Sequence, residues 1–430
     1  MKNAIKPVLF SLAIFLLITA CKSQPAAGNG IKIRDIFAGA SNVFILRDDD
    51  TLWAAGYNRS DQFGLGNTSS DNNSGGTNTG GANTSGAYFV SINDDTGTPF
   101  SGVETVSAGE NHTVILKNDG TLWGAGDSSR GELGLGIGKY PVFTRLTSKD
   151  GPVTGVKAAA VGNNSTFFIG SDNSLWATGF NYYGELGVGN RDTQSNFVNV
   201  ETAGQNIKAI AAGLRHTVLL KEDGTLWAAG YNFNGQLGLG DTEDRNSFTE
   251  VKNAGSGIIA VAAGNYHTVI LKNDGSVWTT GSNSLGQLGF AGKGDLSSFT
   301  RVSDEKGRPL SAVRMIAARG NLTVLVKSDG SIIMAGDYSD PKEINVPDFS
   351  IAVDETKPDT AKSGFVSLVP GGGASSKFAG VQKITLGYNS IYVIASDGSL
   401  WVAGSNRYGQ LSLGSETQTS AALVPVVLGK

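Results

Sequence analysis

Apolar positions fall in short runs closed off by glycine, asparagine and aspartate, and the runs recur in one order. Residues 207–240 read IKAIAAGLRHTVLLKEDGTLWAAGYNFNGQLGLG, and residues 258–290 return as IIAVAAGNYHTVILKNDGSVWTTGSNSLGQLGF. Each block parses into two β-branched or aliphatic runs, here 207–213 and 216–221, then Asp223-Gly224 and a third run at 225–230. An Asp-Gly pair between apolar runs signals a hairpin, and the expected turn is type I′, with positive φ at both central residues. Runs such as Val218-Leu219-Leu220 are apolar on both strand faces, as sheets covered on both sides require.

Similar blocks begin near Ile33, Val103, Val156, Val313 and Val381, which makes seven. Six carry Trp at one register (Trp53, Trp123, Trp176, Trp227, Trp278 and Trp401), where the sixth block has Ile333. The hairpin aspartate recurs in all seven, as Asp49, Asp119, Asp172, Asp223, Asp274, Asp329 and Asp397. Gly follows five of them, and Asp50 and Asn173, which tolerate a left-handed backbone, follow the others. These carboxylates read as turn-makers, not as acids or bases. A fourth strand precedes every core but the first: Tyr88–Ile92, Val142–Leu146, Phe197–Val200, Ser247–Val251, Ser298–Val302 and Phe365–Val369. One more, Leu423–Leu428, follows the last core. Giving each fourth strand to the core after it leaves the C-terminal strand for the first core, which closes a ring and removes exposed edges. The prediction is an all-β, seven-bladed β-propeller of four-stranded blades over residues 31–430, with inserted loops at 67–87 and 337–364.

The pattern G-x-x-H-T…D-G-T-L-W-A-A-G-x-N-x-x-G-Q-L-G-L-G resembles the regulator of chromosome condensation repeat across residues 31–430. The resemblance implies the same seven-bladed propeller. Block six departs furthest: Arg319 replaces its first Gly, Ile333 its Trp, and the GQLGLG segment is missing, so an irregular blade is expected. Light-sensing members of the family use G-W-R-H-T, whereas this chain has Leu214-Arg215-His216-Thr217 and no Trp at that place in any block. Nucleotide exchange on a nuclear GTPase, which the family name suggests, is opposed by a net charge of −4 and the lack of a basic tail. A secreted bacterial propeller that inhibits β-lactamases is similar in compartment and repeat, which implies protein binding through a loop face.

The first residues carry a different signal. Two lysines precede an apolar run from Val8 to Ile18, too short for a permanent membrane span and suited to a signal-peptide core. Leu17-Ile18-Thr19-Ala20-Cys21 resembles a bacterial lipobox. It implies a signal peptide over 1–20, lipid on Cys21 as the membrane anchor, and a polar tether over 21–30. The expected location is extracytoplasmic, on the bacterial cell envelope, and on the outer membrane where the cell has one.

Cys21 is also the only cysteine, which excludes a disulfide framework and multi-Cys zinc sites. The acidic balance speaks against nucleic acid as a partner. His112, His216 and His267 share one register and read as loop braces, not metal ligands. Gly134–Lys139 is the repeat's own Gly-Leu-Gly with a tail; Tyr140 stands where a phosphate-binding loop needs Ser or Thr. No catalytic residue, cofactor or metal is expected.

Strands alternate direction within an antiparallel blade, so the G-x-x-H loops and the G-x-N-x-x-G connections emerge on one face. Residues that vary among otherwise similar repeats there include Phe180, Tyr182, Tyr183, Arg215, Tyr231, Phe233 and Tyr266 in blades three to five, with Tyr388 and Tyr408 in blade seven. Tyr and Arg among Asn and Ser is the composition of a protein-binding surface. Phe180 and Tyr231 share a register with Tyr57, and packing inward as loop core is the competing reading for those three. The expectation is a monomeric, tethered, non-catalytic module that recognises a protein. The alternatives are a glycan or cell-wall hydrolase or lyase working at the channel mouth, and a purely structural envelope protein.

Overall fold

A computed structural model describes residues 32–66, 88–94, 96–290, 292, 294–304, 307–337, 365–368, 380–414, 417 and 419–426. The proposed signal peptide, lipidation site and tether, and the insertions at 67–87 and 338–364, lie outside these residues.

The expected seven blades are present, each a four-stranded antiparallel sheet whose strands follow chain order outward from the axis. Blade four runs Ile207–Ala212, His216–Lys221, Leu226–Gly230 and Arg245–Glu250. The inner strands of blades three to six are rich in Ala, a side chain small enough for strands that converge on one axis. Seven apolar clusters fill the seven gaps between neighbouring blades, as Phe167, Leu219 and Phe248 do between blades three and four. Each such buried side chain contributes about 1.5–3 kcal/mol, so the sheets are held by what lies between them.

The Asp-Gly hairpins form, but not as type I′ turns. Gly224 N donates to Lys221 O (2.9 Å), Lys221 N donates to Thr225 O (2.9 Å), and left-handed φ falls on the second residue of the pair: Gly224 at +82°, Asp50 at 65° and Asn173 at 66°. This is a type I turn followed by a left-handed residue. The aspartate is free of that conformation because its carboxylate has another task. Asp223 Oδ1 accepts from Thr225 N (2.9 Å) and Thr225 Oγ1 (2.7 Å), and Trp227 Nε1 donates to the same hydroxyl (3.2 Å). The bonds from Thr225 hold the Asp223 carboxyl below its ordinary range. One relay thus ties the turn to the Trp strand, and the turn-maker reading stands.

The expected closure is corrected. Each fourth strand pairs with the Trp strand of the core before it: Trp53 faces Ser91, Trp227 faces Glu250, and Trp401 faces Pro425. The C-terminal strand, Thr419–Pro425, therefore completes blade seven, not blade one. Seven cores and seven outer strands balance in either assignment, so counting does not separate them. The connection into the outer strand, residues 231–244 in blade four, is longer than the one out of it, 251–257, so loop length does not set the pairing.

The ring closes instead by packing. Ile36, Val43 and Ile45 of blade one meet Tyr392, Ile394, Val402 and Leu411 of blade seven. Tyr388 N donates to Ala40 O (2.8 Å), and the buried Lys383 ammonium pairs with Asp35 across the same seam. From blade one through blade five, the segment after the G-x-N-x-x-G turn lies on the next blade's outer strand, with Val188 bridged to Ser247 and Leu239 to Ser298. Gly187 is required there: its φ is +69°, and a Cβ would sit 2.4 Å from the Phe248 ring.

Blade six keeps four strands, and its departure from the other blades lies at the inner hairpin. Its inner hairpin is tighter, with Arg319 opposite Leu322 and Gly320 at φ +57°.

Candidate functional site

In each G-x-N-x-x-G-Q-L-G connection the asparagine is a pin. Asn232 Nδ2 donates to Asp241 O (3.0 Å) while its Oδ1 accepts from Leu237 N (2.9 Å); Asn181 does the same with Asn190 O (3.0 Å) and Leu186 N (2.9 Å). Two residues on, a second backbone N–H is captured by the Gln or Glu of the motif, as in Tyr183 N to Glu185 Oε2 (2.9 Å) and Asn234 N to Gln236 Oε1 (3.1 Å). The residue between the two fixed points is turned outward. That residue is Tyr182 in blade three and Phe233 in blade four, 63% and 71% exposed.

The aromatic residues of blades three to five form one contiguous ribbon. Phe180 stacks on Tyr182 (6.3 Å), Tyr182 meets Tyr183 edge-on (5.0 Å), and Tyr183 meets Tyr231 (4.9 Å). Tyr231 then touches both Phe233 (6.3 Å, stacked) and Tyr266 (5.9 Å). Arg215 from the neighbouring G-x-x-H loop lies 4.8 Å over the Tyr183 ring and donates from Nη1 to its hydroxyl (3.1 Å). Phe180, Tyr231 and Tyr57 are half-buried, between the two readings of their shared register. Beneath the ribbon, burial pushes the Glu185 carboxyl up to about 7, against the pull of Arg215.

Seven of the nine expected residues are thus brought together and two are not. Tyr408 packs against Tyr57 (5.2 Å) across the blade-seven seam, beside Arg407. Tyr388 stands at the axial mouth, its hydroxyl donating to Asn163 Oδ1. The expected binding set left out Arg130, a variable residue of this same face, whose guanidinium lies 4.8 Å over Phe180 and extends the ribbon at one end. Its signal was available, because it is the loop residue of blade two facing that junction.

The histidines brace neighbouring blades. His112, His216 and His267 each place Nε2 against the Thr of the next blade: Thr166 (3.1 Å), Thr268 (3.0 Å) and Thr323 (2.9 Å). Thr268 and Thr323 spend their hydroxyl protons on Gln236 O and Gln287 O (both 2.7 Å), so His216 and His267 are the donors and carry their proton on Nε2. Burial drives the three imidazoles down to about 4, 3 and 3, and they are neutral. Among the described residues no group of three or more His, Cys, Asp or Glu side chains is placed to hold a metal. The axial cavity is lined by glycines, alanines, Asn163, Asn265, Arg319 and Tyr388, without a carboxylate pair of the kind glycoside hydrolysis uses.

Comparison with known proteins agrees with this architecture. The regulator of chromosome condensation (RCC1) repeat profiles match residues 103–132, 172–220, 207–236, 223–271, 258–287 and 381–410. The ultraviolet-B receptor UVR8 of Arabidopsis thaliana is 28% identical over 267 residues, covering 61% of this chain and 56% of the receptor. The X-linked retinitis pigmentosa GTPase regulator of Canis lupus familiaris is 33% identical over 153 residues, 35% of this chain and 15% of that protein. The match thus takes in about half of the first relative and a small part of the second. Among solved structures, Prp20p from Saccharomyces cerevisiae superposes with a TM-score of 0.66 at 17% identity, over 92% of this chain and 87% of that one. Human WBSCR16 gives 0.64 at 17%, over 79% and 84%. With seven blades, the shared repeat and these neighbours in hand, the chain is a seven-bladed β-propeller that carries regulator of chromosome condensation repeats.

Proposed function

We propose that this propeller is a non-catalytic binding module that recognises a protein partner through the aromatic ribbon of blades three to five, and that it is tethered to the bacterial cell envelope by lipid on Cys21. The observation that carries the reading is the ribbon itself: six aromatic side chains in unbroken contact, stiffened by Arg215, with Tyr182 and Phe233 standing out into water. Stacked rings lose little conformational freedom on binding, and Tyr and Arg dominate binding hot spots. The neighbours support it by analogy, since the Prp20p structure is described with binding to Gsp1p and histones, and another holds Kap60 bound to yeast RCC1.

The test replaces Tyr182, Tyr183 and Phe233 with Ala in the tethered protein and crosslinks it in its own cells. One protein recovered with the wild type, and shown to bind it when both are purified, is expected to be lost from the triple variant while the melting temperature moves little. Binding that survives the triple substitution refutes this face. Palmitate labelling of Cys21, lost in Cys21→Ser, tests the tether separately.

A further inference from the structure

Six blades open their innermost loop with glycine: Gly39, Gly109, Gly162, Gly213, Gly264 and Gly387. Blade six has Arg319 there, so one long cationic side chain is placed where the other six blades have none. It reaches across the axis, Nη2 donating to Ala108 O of blade two (3.1 Å). The residue is 7% exposed, yet Nε has no acceptor in the protein, and Arg319 forms no ion pair among the described residues. The Glu110 carboxylate acts on the guanidinium charge without pairing with it; it accepts from Asn163 Nδ2 (2.8 Å), and Asn163 in turn accepts from Tyr388. The Tyr388 ring lies 5.4 Å from the guanidinium carbon. Beside Arg319 is a cavity of about 20 Å³, bordered by the Gly213 and Gly264 loops, Asn265 and Tyr388.

A buried guanidinium is costly unless its charge and its donors are answered. Its planar fork of N–H groups matches the two oxygens of a carboxylate. The enclosed part of the cavity is on the scale of one or two water molecules, room for a carboxylate head group. We propose that the axial mouth is a binding site for one small carboxylate, held by the Arg319 guanidinium. The glycines around it let the backbone walls approach, and the Asn163–Tyr388 bond fixes the opposite wall. The site is independent of the aromatic ribbon and stands or falls apart from it.

Formate, as the sodium salt, is the probe. Arg319→Gly restores the residue the other six blades use, so the variant is expected to fold; Arg319→Gln is the second variant. Melting temperature is followed against formate and, separately, against sodium chloride. Formate is expected to raise the wild-type value along a saturating curve, with an apparent Kd about ten- to a hundredfold weaker in Arg319→Gln and no saturation in Arg319→Gly. Line broadening of ¹³C-formate should appear with the wild type and vanish with Arg319→Gly. Two results overturn the proposal: formate acting alike on wild type and variants, or chloride saturating at lower concentration than formate, which would mark a halide site.

Discussion

The seam between blades one and seven offers the sharpest test of how the ring is held. Lys383 and Asp35 form an ion pair there with side chains only 8% and 14% exposed. Asp35→Asn keeps the shape and the oxygen that accepts from Ile36 N (2.7 Å in the wild type) but takes the Asp35 charge away from the ammonium. Burial already pulls the Lys383 pKa down, opposed by Asp35, so the variant loses the opposing influence. Breaking a buried pair costs about 3–5 kcal/mol, whereas replacing both partners with groups that carry no charge is close to neutral. Asp35→Asn is therefore expected to lower unfolding stability by about 3 kcal/mol or more, and Asp35→Asn with Lys383→Met to recover most of it. The exposed pair Arg308–Asp304, with side chains 71% and 28% exposed, is the control: Arg308→Ala should cost no more than about 1 kcal/mol. Urea unfolding followed by Trp fluorescence gives the stabilities. Hydrogen exchange at Tyr388 N, whose bond to Ala40 O crosses the seam, localises the effect. A cost for Asp35→Asn no larger than that of Arg308→Ala, or a double variant equal to the sum of its parts, refutes the reasoning.

Other expectations follow from the same structure. Because His112, His216 and His267 are depressed below their unfolded value, the unfolded chain binds more protons below pH 6.5; stability should fall as pH drops from 6.5 toward 4, by up to about 1.4 kcal/mol per pH unit per histidine, read from urea midpoints. Glu185 acts oppositely: its pKa is raised, so its cost grows as pH rises from the ordinary carboxyl range to about 7. Glu185→Gln, which copies Gln236 and Gln287, should stabilise the protein at pH 8 by up to about 3 kcal/mol and leave it unchanged at pH 4, measured the same way. Gly187→Ala sets a Cβ against the Phe248 ring in a left-handed backbone and should cost about 2–4 kcal/mol by thermal unfolding, with Phe248→Leu in the same chain relieving part of it.

Much of this was legible in the residues because a repeat is its own alignment. The blade count, the strand positions, the turn role of the seven aspartates and the bracing role of the histidines each follow from one register read several times over. The loop face was legible too, since a connection that varies while its flanks repeat is free of the shared fold. The pairing of the outer strands was not, because strand inventories balance whether the C-terminal strand joins the first blade or the last; only the observed pairing of Trp401 with Pro425 decides. Nor was the turn type, where a side-chain bond from Thr225 to Asp223 removes the need for a left-handed aspartate. Arg319 reads in the chain as a lapse in the repeat. In the ring it reaches the axis and meets a strand of blade two, 211 positions away. Local hydrophobic period and turn chemistry determine which segments become strands, since those forces act between near neighbours. Which segments face each other across an axis depends on closing seven wedges into a circle, and that constraint exists only in three dimensions.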